Sequence, residues 1–194
     1  MPMNKRILLT EIPTGKLGEE HFSQDEVETT APGDGEVLIR TLILSQDAAN
    51  RAWMQGATYR SALESGQVMS SGGLGEVIES NSDRISVGQI VSGDLGWQEY
   101  ATLPANQVGI VPAHDGPLSH GLSLLGVAGL TAYHGLINVP GIHAGETLLV
   151  SAAGGSVGSL VGQIGRIKGA KVIGIAGGTE KRSEEHTSEL QSPD

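Results

Sequence analysis

The sequence predicts a chain in two parts: a β-rich domain of the α+β class, then the beginning of an α/β domain built on a parallel sheet. Three observations lead there. Up to Val111, runs rich in Val, Ile and Thr alternate with polar residues and are broken by Gly, Asn and Asp at short intervals. From Pro117 onward apolar residues recur at spacings of three and four, a helical period. Between Glu146 and Ala176 an apolar run, a glycine cluster, an apolar-periodic stretch and a second apolar run follow one another, the pattern of a βαβ unit.

In chain order, KRILLTEI is the first expected strand, followed by GEVLIRTLILS after a turn at Pro32 to Gly35, then GLGEVIES, GQIVSG, WQEYATL and VGIV. The connection QDAANRAWMQGATYRSALESGQVMSSG is too irregular for a strand and reads as a functional loop or a short helical excursion. LSHGLSLLGVAGLTAYHGLINV, entered after a proline, reads as helix. The expected domains are 1–123 and 124–181, with a further tail at 182–194. After the turn around VPGIHAGE, ETLLVSA is a buried-type strand. Val157, Leu160, Val161, Ile164 and Ile167 mark one helix face that Gly169 ends, and KVIGIA is a second buried strand.

The chain's 22 acidic and 12 basic residues give a net charge of -10, and no run of Lys or Arg could neutralise a phosphate backbone, so a nucleic-acid partner is not expected. No apolar segment reaches the roughly 20 residues that cross a bilayer, and MPMNKRILLTEIP lacks a signal-peptide core; the expectation is a cytoplasmic protein without a membrane partner. Having no cysteine, the chain has no disulfide, thiol nucleophile or thiolate metal ligand. His114 and His120 flank a proline in a turn-like stretch, and a loop separates His134 from His143, so no metal site is expected. Asp47, Asp94 and Glu99 lack a partner in an acid–base arrangement and read as solvated or turn-forming.

The glycine cluster SAAGGSVGSL carries the chemistry. Ala153, Gly155 and Gly158 sit where a dinucleotide fingerprint places its three small residues, which permit the tight turn, approach of backbone to pyrophosphate, and close packing of helix on strand. The N–H groups opening the helix would then face the phosphates. An NAD enzyme usually places an acid at the tip of the second strand, against the ribose 2'-hydroxyl. Here that strand ends in Ala176, Gly177, Gly178 and Thr179, and the missing acid favours NADP. Lys181 follows, either a point charge for a 2'-phosphate or a solvated surface lysine.

LSQDAANRAWM, GWQEYA, GVAGLTAYHGL and VSAAGGSVGSLVGQIGRIKGAKVIGIAGG, with Glu180 and Lys181, together resemble the zinc-independent medium-chain dehydrogenase/reductase superfamily. Within it the resemblance is to the branch of prostaglandin, plant double-bond and bacterial curcumin reductases. It implies a GroES-like β-rich first domain and a Rossmann second domain, incomplete in this chain. It also implies NADP(H) as cofactor, and reduction of the carbon–carbon double bond of small-molecule enals and enones. By the same resemblance Gly155, Ser156, Val157 and Gly158 form the pyrophosphate turn, Lys181 meets the 2'-phosphate and Thr131 lies near the nicotinamide. Tyr59 donates a hydrogen bond to the substrate oxygen, unless it is a loop tyrosine packed by its ring. A homodimer is the expected assembly of the parent protein. One departure is plain: relatives often carry Pro-Tyr-Met before the arginine, where this chain has Ala48, Ala49 and Asn50 before Arg51. A quinone oxidoreductase of the same superfamily and a non-catalytic NADPH-binding protein are the alternative functions. Zinc chemistry is disfavoured by the absence of cysteine and of a Gly-His-Glu motif.

A dinucleotide domain of this type needs about six parallel strands, and the sequence supplies two before Lys181. RSEEHTSELQS, which follows, resembles the conceptual translation of a sequencing-library adapter. Arg182 to Asp194 is therefore expected to be a non-native tail on a shortened, inactive chain.

Overall fold

The structure is a computed structural model that describes residues 1–57 and 61–177. The chain divides into two compact units, Met1–Asp115 and Gly116–Asp194.

In the first unit β1 (Met3–Leu9) pairs antiparallel with β2 (Phe22–Glu28). β3 (Glu36–Leu44), β4 (Gly72–Ser80), β5 (Ile90–Asp94), β6 (Tyr100–Pro104) and β7 (Gly109–Ile110) form an antiparallel sheet in the order β6-β3-β4-β5-β7. Strict alternation would bury every second residue of β3, yet Val37, Leu38 and Ile39 are all buried. β3 is paired on both sides, with β4 and with β6, and the pairing with β4 shifts register between Leu38 and Ile39, where Ile78 of β4 is the extra residue. Gly75 lies opposite Thr41, and a Cβ there would stand 2.3 Å from Ile39 Cγ2 and 2.6 Å from the Arg40 carbonyl oxygen. Val37, Ile39, Val77, Val91 and Leu95 centre the main core, and a second cluster gathers Leu9, Trp53, Met54, Leu63 and Met69.

One sequence expectation changes here. FSQDEVE did not read as a strand, yet it forms β2, which pairs with one neighbour, so its charged residues keep contact with water. The long connection contains an eight-residue helix, α1 (Ala48–Gln55), the excursion that its irregular pattern allowed.

The second unit corrects the single helix expected after Pro117. That segment is a 3-10 turn at Leu118–Gly121, then α2 (Val127–Tyr133) and a π-helical turn at His134–Asn138. The chain doubles back too tightly for a continuous helix. A Cβ on Gly129 would lie 1.7 Å from the Leu124 carbonyl oxygen, an approach open only to glycine.

β8 (Thr147–Ser151), α3 (Ser156–Ile167) and β9 (Lys171–Ile175) form the expected βαβ unit, with β8 and β9 parallel and in register from Thr147↔Lys171 to Ser151↔Ile175. Gly169, with φ of 80°, ends α3 as a left-handed residue. The face of α3 that meets the sheet is glycine, not the full apolar stripe. Gly165 is buried with its Cβ position 2.5 Å from Leu148 Cδ2, whereas Ile167 is 82% exposed. On the other face of the strand pair Leu149, Ile173 and Ile175 are exposed, unlike the doubly covered strands usual in parallel sheets. No helix among the described residues is long and apolar enough to cross a membrane.

Candidate dinucleotide-binding site

The turn between β8 and α3 is built from backbone. Leaving β8, the chain passes through Ala152 at φ 50°, the one non-glycine residue with positive φ among the described residues. Such a conformation costs of order 1 kcal/mol or more and clusters at ligand sites. The Ala153 N–H donates to the Ile175 carbonyl at 3.1 Å, which ties the turn to the end of β9, and the Gly155 N–H donates to the Ala152 carbonyl at 2.9 Å. The turn therefore sits beyond the carboxyl ends of both parallel strands, where open α/β sheets bind ligands.

Gly155 caps α3 in extended conformation and offers no side chain as a cap. The N–H groups of Ser156, Val157 and Gly158 open the helix and have no intrahelical acceptor. The first turn contains no acidic residue, so nothing there offsets the positive end of the helix dipole. Gly158 lets the helix come close: a Cβ there would lie 2.4 Å from the Ala152 carbonyl oxygen and 2.9 Å from Ala153 Cα. Any side chain at 158 would push the helix away from the turn.

The sequence-derived site residues are not all assembled by the structure. Gly155, Ser156, Val157 and Gly158 stand together at the start of α3. Thr131 is exposed on α2, and its hydroxyl donates to the Val127 carbonyl one turn back at 2.6 Å. Tyr59 and Lys181 lie outside the described residues, as does 182–194. Asp47 is the N-cap of α1, accepting from the Ala49 N–H at 3.0 Å, in keeping with a turn-forming role. Asp94 accepts from Ser70 Oγ at 3.0 and 3.1 Å.

One buried polar arrangement was not anticipated from sequence. Asn50, 6% exposed, accepts the Asp47 N–H at 2.8 Å through Oδ1 and donates Nδ2 to the Ser70 carbonyl at 2.7 Å. It completes a reciprocal capping box and pins α1 to the loop that enters β4. An Asn three residues after an Asp was the available signal. Away from the turn, Arg6 grips Asp25 across β1 and β2, with Nε to Oδ1 at 2.9 Å and Nη2 to Oδ2. The guanidinium hydrogen bond holds the Asp25 carboxyl below its ordinary pKa and raises that of Arg6. Among the described residues no three His, Cys, Asp or Glu come together as metal ligands would.

Comparison with known proteins supplies the family. Residues 5–111 match the family described as the N-terminal domain of oxidoreductase. The NADPH-dependent curcumin reductase of Escherichia coli is 40% identical over 179 residues, covering 92% of this chain and 52% of the relative. The NADP(+)-dependent 2-alkenal reductase of Nicotiana tabacum is 34% identical over 185 residues, covering 92% of this chain and 54% of the relative. The crystal structure of CurA in complex with NADPH from Vibrio vulnificus superposes with a TM-score of 0.79 at 37% identity, over 91% of this chain and 52% of that one. The chain spans about half the length of the curated relatives it matches. It belongs to the zinc-independent medium-chain dehydrogenase/reductase superfamily.

Proposed function

We propose that this chain is part of a cytoplasmic, NADPH-dependent reductase of the carbon–carbon double bond in α,β-unsaturated aldehydes and ketones. The observation that carries the reading is the β8–α3 turn. Its bare glycine cradle and three unpaired N–H groups fit a pyrophosphate, and the relatives sharing the surrounding sequence are named as NADPH- or NADP-dependent reductases.

In this reading Ser156, Val157 and Gly158 donate their N–H groups to the pyrophosphate, and Gly155 and Gly158 keep the backbone close to it. Lys181 lies beyond a second strand that carries no acid at its tip, and it meets the 2'-phosphate as a point charge. When bound, NADPH would supply a hydride for the β-carbon of the substrate. Negative charge then develops on the carbonyl oxygen, and the Tyr59 hydroxyl donates a hydrogen bond to it. Water protonates the α-carbon, so the chain needs no catalytic triad.

The test joins residues 1–181 of this chain to the C-terminal half of the Escherichia coli curcumin reductase and assays enones with NADPH and NADH. The expected result is enone turnover with NADPH preferred. A folded chimera that binds NADPH and reduces quinones but not enones would move the reading to quinone oxidoreduction. Binding without turnover of either class would leave a non-catalytic NADPH-binding protein.

A further inference from the structure

We propose that two copies of this chain associate through the outer face of α2. The observation is a helix that hides its small residues and shows its large ones. A surface helix ordinarily buries its apolar stripe and turns polar residues to water. In α2 the buried positions are Gly129 and Ala132, continued by Leu136 in the π-helical turn. The opposite side carries Val127 and Leu130, 80% and 56% exposed, with Tyr133 half exposed beside them. Leu124 and Leu125 are exposed just before the helix, and Val139 just after the π-helical turn. α3 packs against α2, yet Val127 and Leu130 stay outside that contact.

Nothing charged interrupts this face. From Gly116 to Gly145 the sequence contains no Asp, Glu, Lys or Arg, and most of the chain's 22 acidic residues lie in Met1–Asp115. Loss of charge with an aromatic residue kept is the composition of an interface core. Polar groups on the face are already bonded within the segment. The Thr131 hydroxyl donates to the Val127 carbonyl at 2.6 Å, and Asn138 Nδ2 donates to His134 Nδ1 at 2.5 Å, so covering the face orphans neither bond. The occupant is a second copy, because an uncharged patch meets its own image across a two-fold axis with no charge buried and no like charges opposed. Elsewhere a net charge of -10 keeps copies apart. The area suffices. Leu124, Leu125, Val127, Leu130, Tyr133 and Val139 together offer roughly 400 Å² of accessible apolar surface. The smaller stable interfaces take roughly 600 Å² from each partner, about two-thirds of it apolar.

The test is sedimentation equilibrium of the 194-residue chain from micromolar to several hundred micromolar concentration, without NADPH, so that the result does not depend on the reductase reading. The expected result is a reversible monomer–dimer equilibrium with a micromolar dissociation constant. In the 15N-labelled chain, concentration-dependent amide shifts should centre on Val127 to His134. Val127→Lys together with Leu130→Lys sets like charges on both sides of the contact and should weaken association at least about 100-fold. Both residues are exposed, so the amide spectrum of β8 and α3 should be retained. Leu149→Thr together with Ile173→Thr, on the bare face of the strand pair, should leave the dimer intact. A chain that stays monomeric throughout the range overturns the proposal and leaves the face to the polypeptide that the relatives carry in addition. Association that survives the two lysines, or that the two threonines abolish, overturns it as well. Should the lysine variant fail to fold, the unmodified chain decides, because amide shifts centred away from Val127 to His134 contradict the proposal.

Discussion

Replacing Gly158 with alanine adds one methyl group at the closest approach between α3 and the turn. The new Cβ would stand 2.4 Å from the Ala152 carbonyl oxygen, and real Cβ contacts essentially never fall below 3.0 Å. The obstructing atoms are backbone of Ala152 and Ala153, so the start of the helix has to move. Overpacking of this kind costs about 1–3 kcal/mol. Opposing it, alanine exceeds glycine in helix propensity by up to about 1 kcal/mol, and by less in the first turn. Gly158→Ala should therefore destabilise the second unit by about 1–2 kcal/mol. Gly162 is the internal control, because its Cβ would meet only Val172 Cγ1 at 3.7 Å, an ordinary contact. Gly162→Ala should be neutral or stabilising by up to about 1 kcal/mol. Urea unfolding followed by the amide resonances of α3 gives both values. NADPH titration of the same proteins should show affinity about ten-fold weaker for Gly158→Ala alone, the loss of one charge-assisted hydrogen bond. A Gly158→Ala chain as stable as its Gly162→Ala counterpart, with unchanged NADPH affinity, would refute the cradle argument.

Other consequences follow from the same structure. Asn50→Ala leaves the Ser70 carbonyl and the Asp47 N–H without their partners and should cost the first unit about 2 kcal/mol, measured as a lower urea midpoint in tryptophan fluorescence. Because Arg6 lowers the folded-state pKa of Asp25, the stability that this pair adds is present above the unfolded-state pKa and is lost as pH falls through the folded one. A carboxyl 13C titration should place Asp25 below ordinary aspartates, and Arg6→Gln should return it to their range. In the chimera, Lys181→Ala should raise the KM for NADPH about ten-fold with little change for NADH, the signature of a lost 2'-phosphate contact. The exposed Leu149, Ile173 and Ile175 face should bind an apolar dye such as anilinonaphthalene sulfonate, and binding should fall when Leu149 and Ile173 are both replaced by threonine.

The βαβ unit was legible because each of its parts follows from a local rule: two apolar runs, a glycine cluster between strand and helix, and Gly169 at the stop. The third small residue of the fingerprint is the one that the structure packs beneath the Ala152 carbonyl. Most of what could not be read depends on contacts that the local pattern does not encode. β2 carries acids because it pairs with one neighbour, and only its pairing with Arg6 shows that Asp25 belongs in a strand. Asn50 looks like an ordinary polar residue until Ser70, twenty residues on, is folded against it. The break between the 3-10 turn and α2 depends on how closely Gly129 approaches Leu124, a distance that periodicity does not encode. The apolar face expected of α3 was only partly right, since Gly165 lets the sheet come so near that Ile167 lies outside the contact.

The most direct test of the reductase reading follows the hydride itself. The chimera is supplied with NADPH deuterated at the transferred position and with 4-phenylbut-3-en-2-one, and the product is examined by NMR. The account predicts the saturated ketone with deuterium on its β-carbon. Deuterium on the former carbonyl carbon, in an allylic alcohol, would contradict it and assign the chemistry to carbonyl reduction.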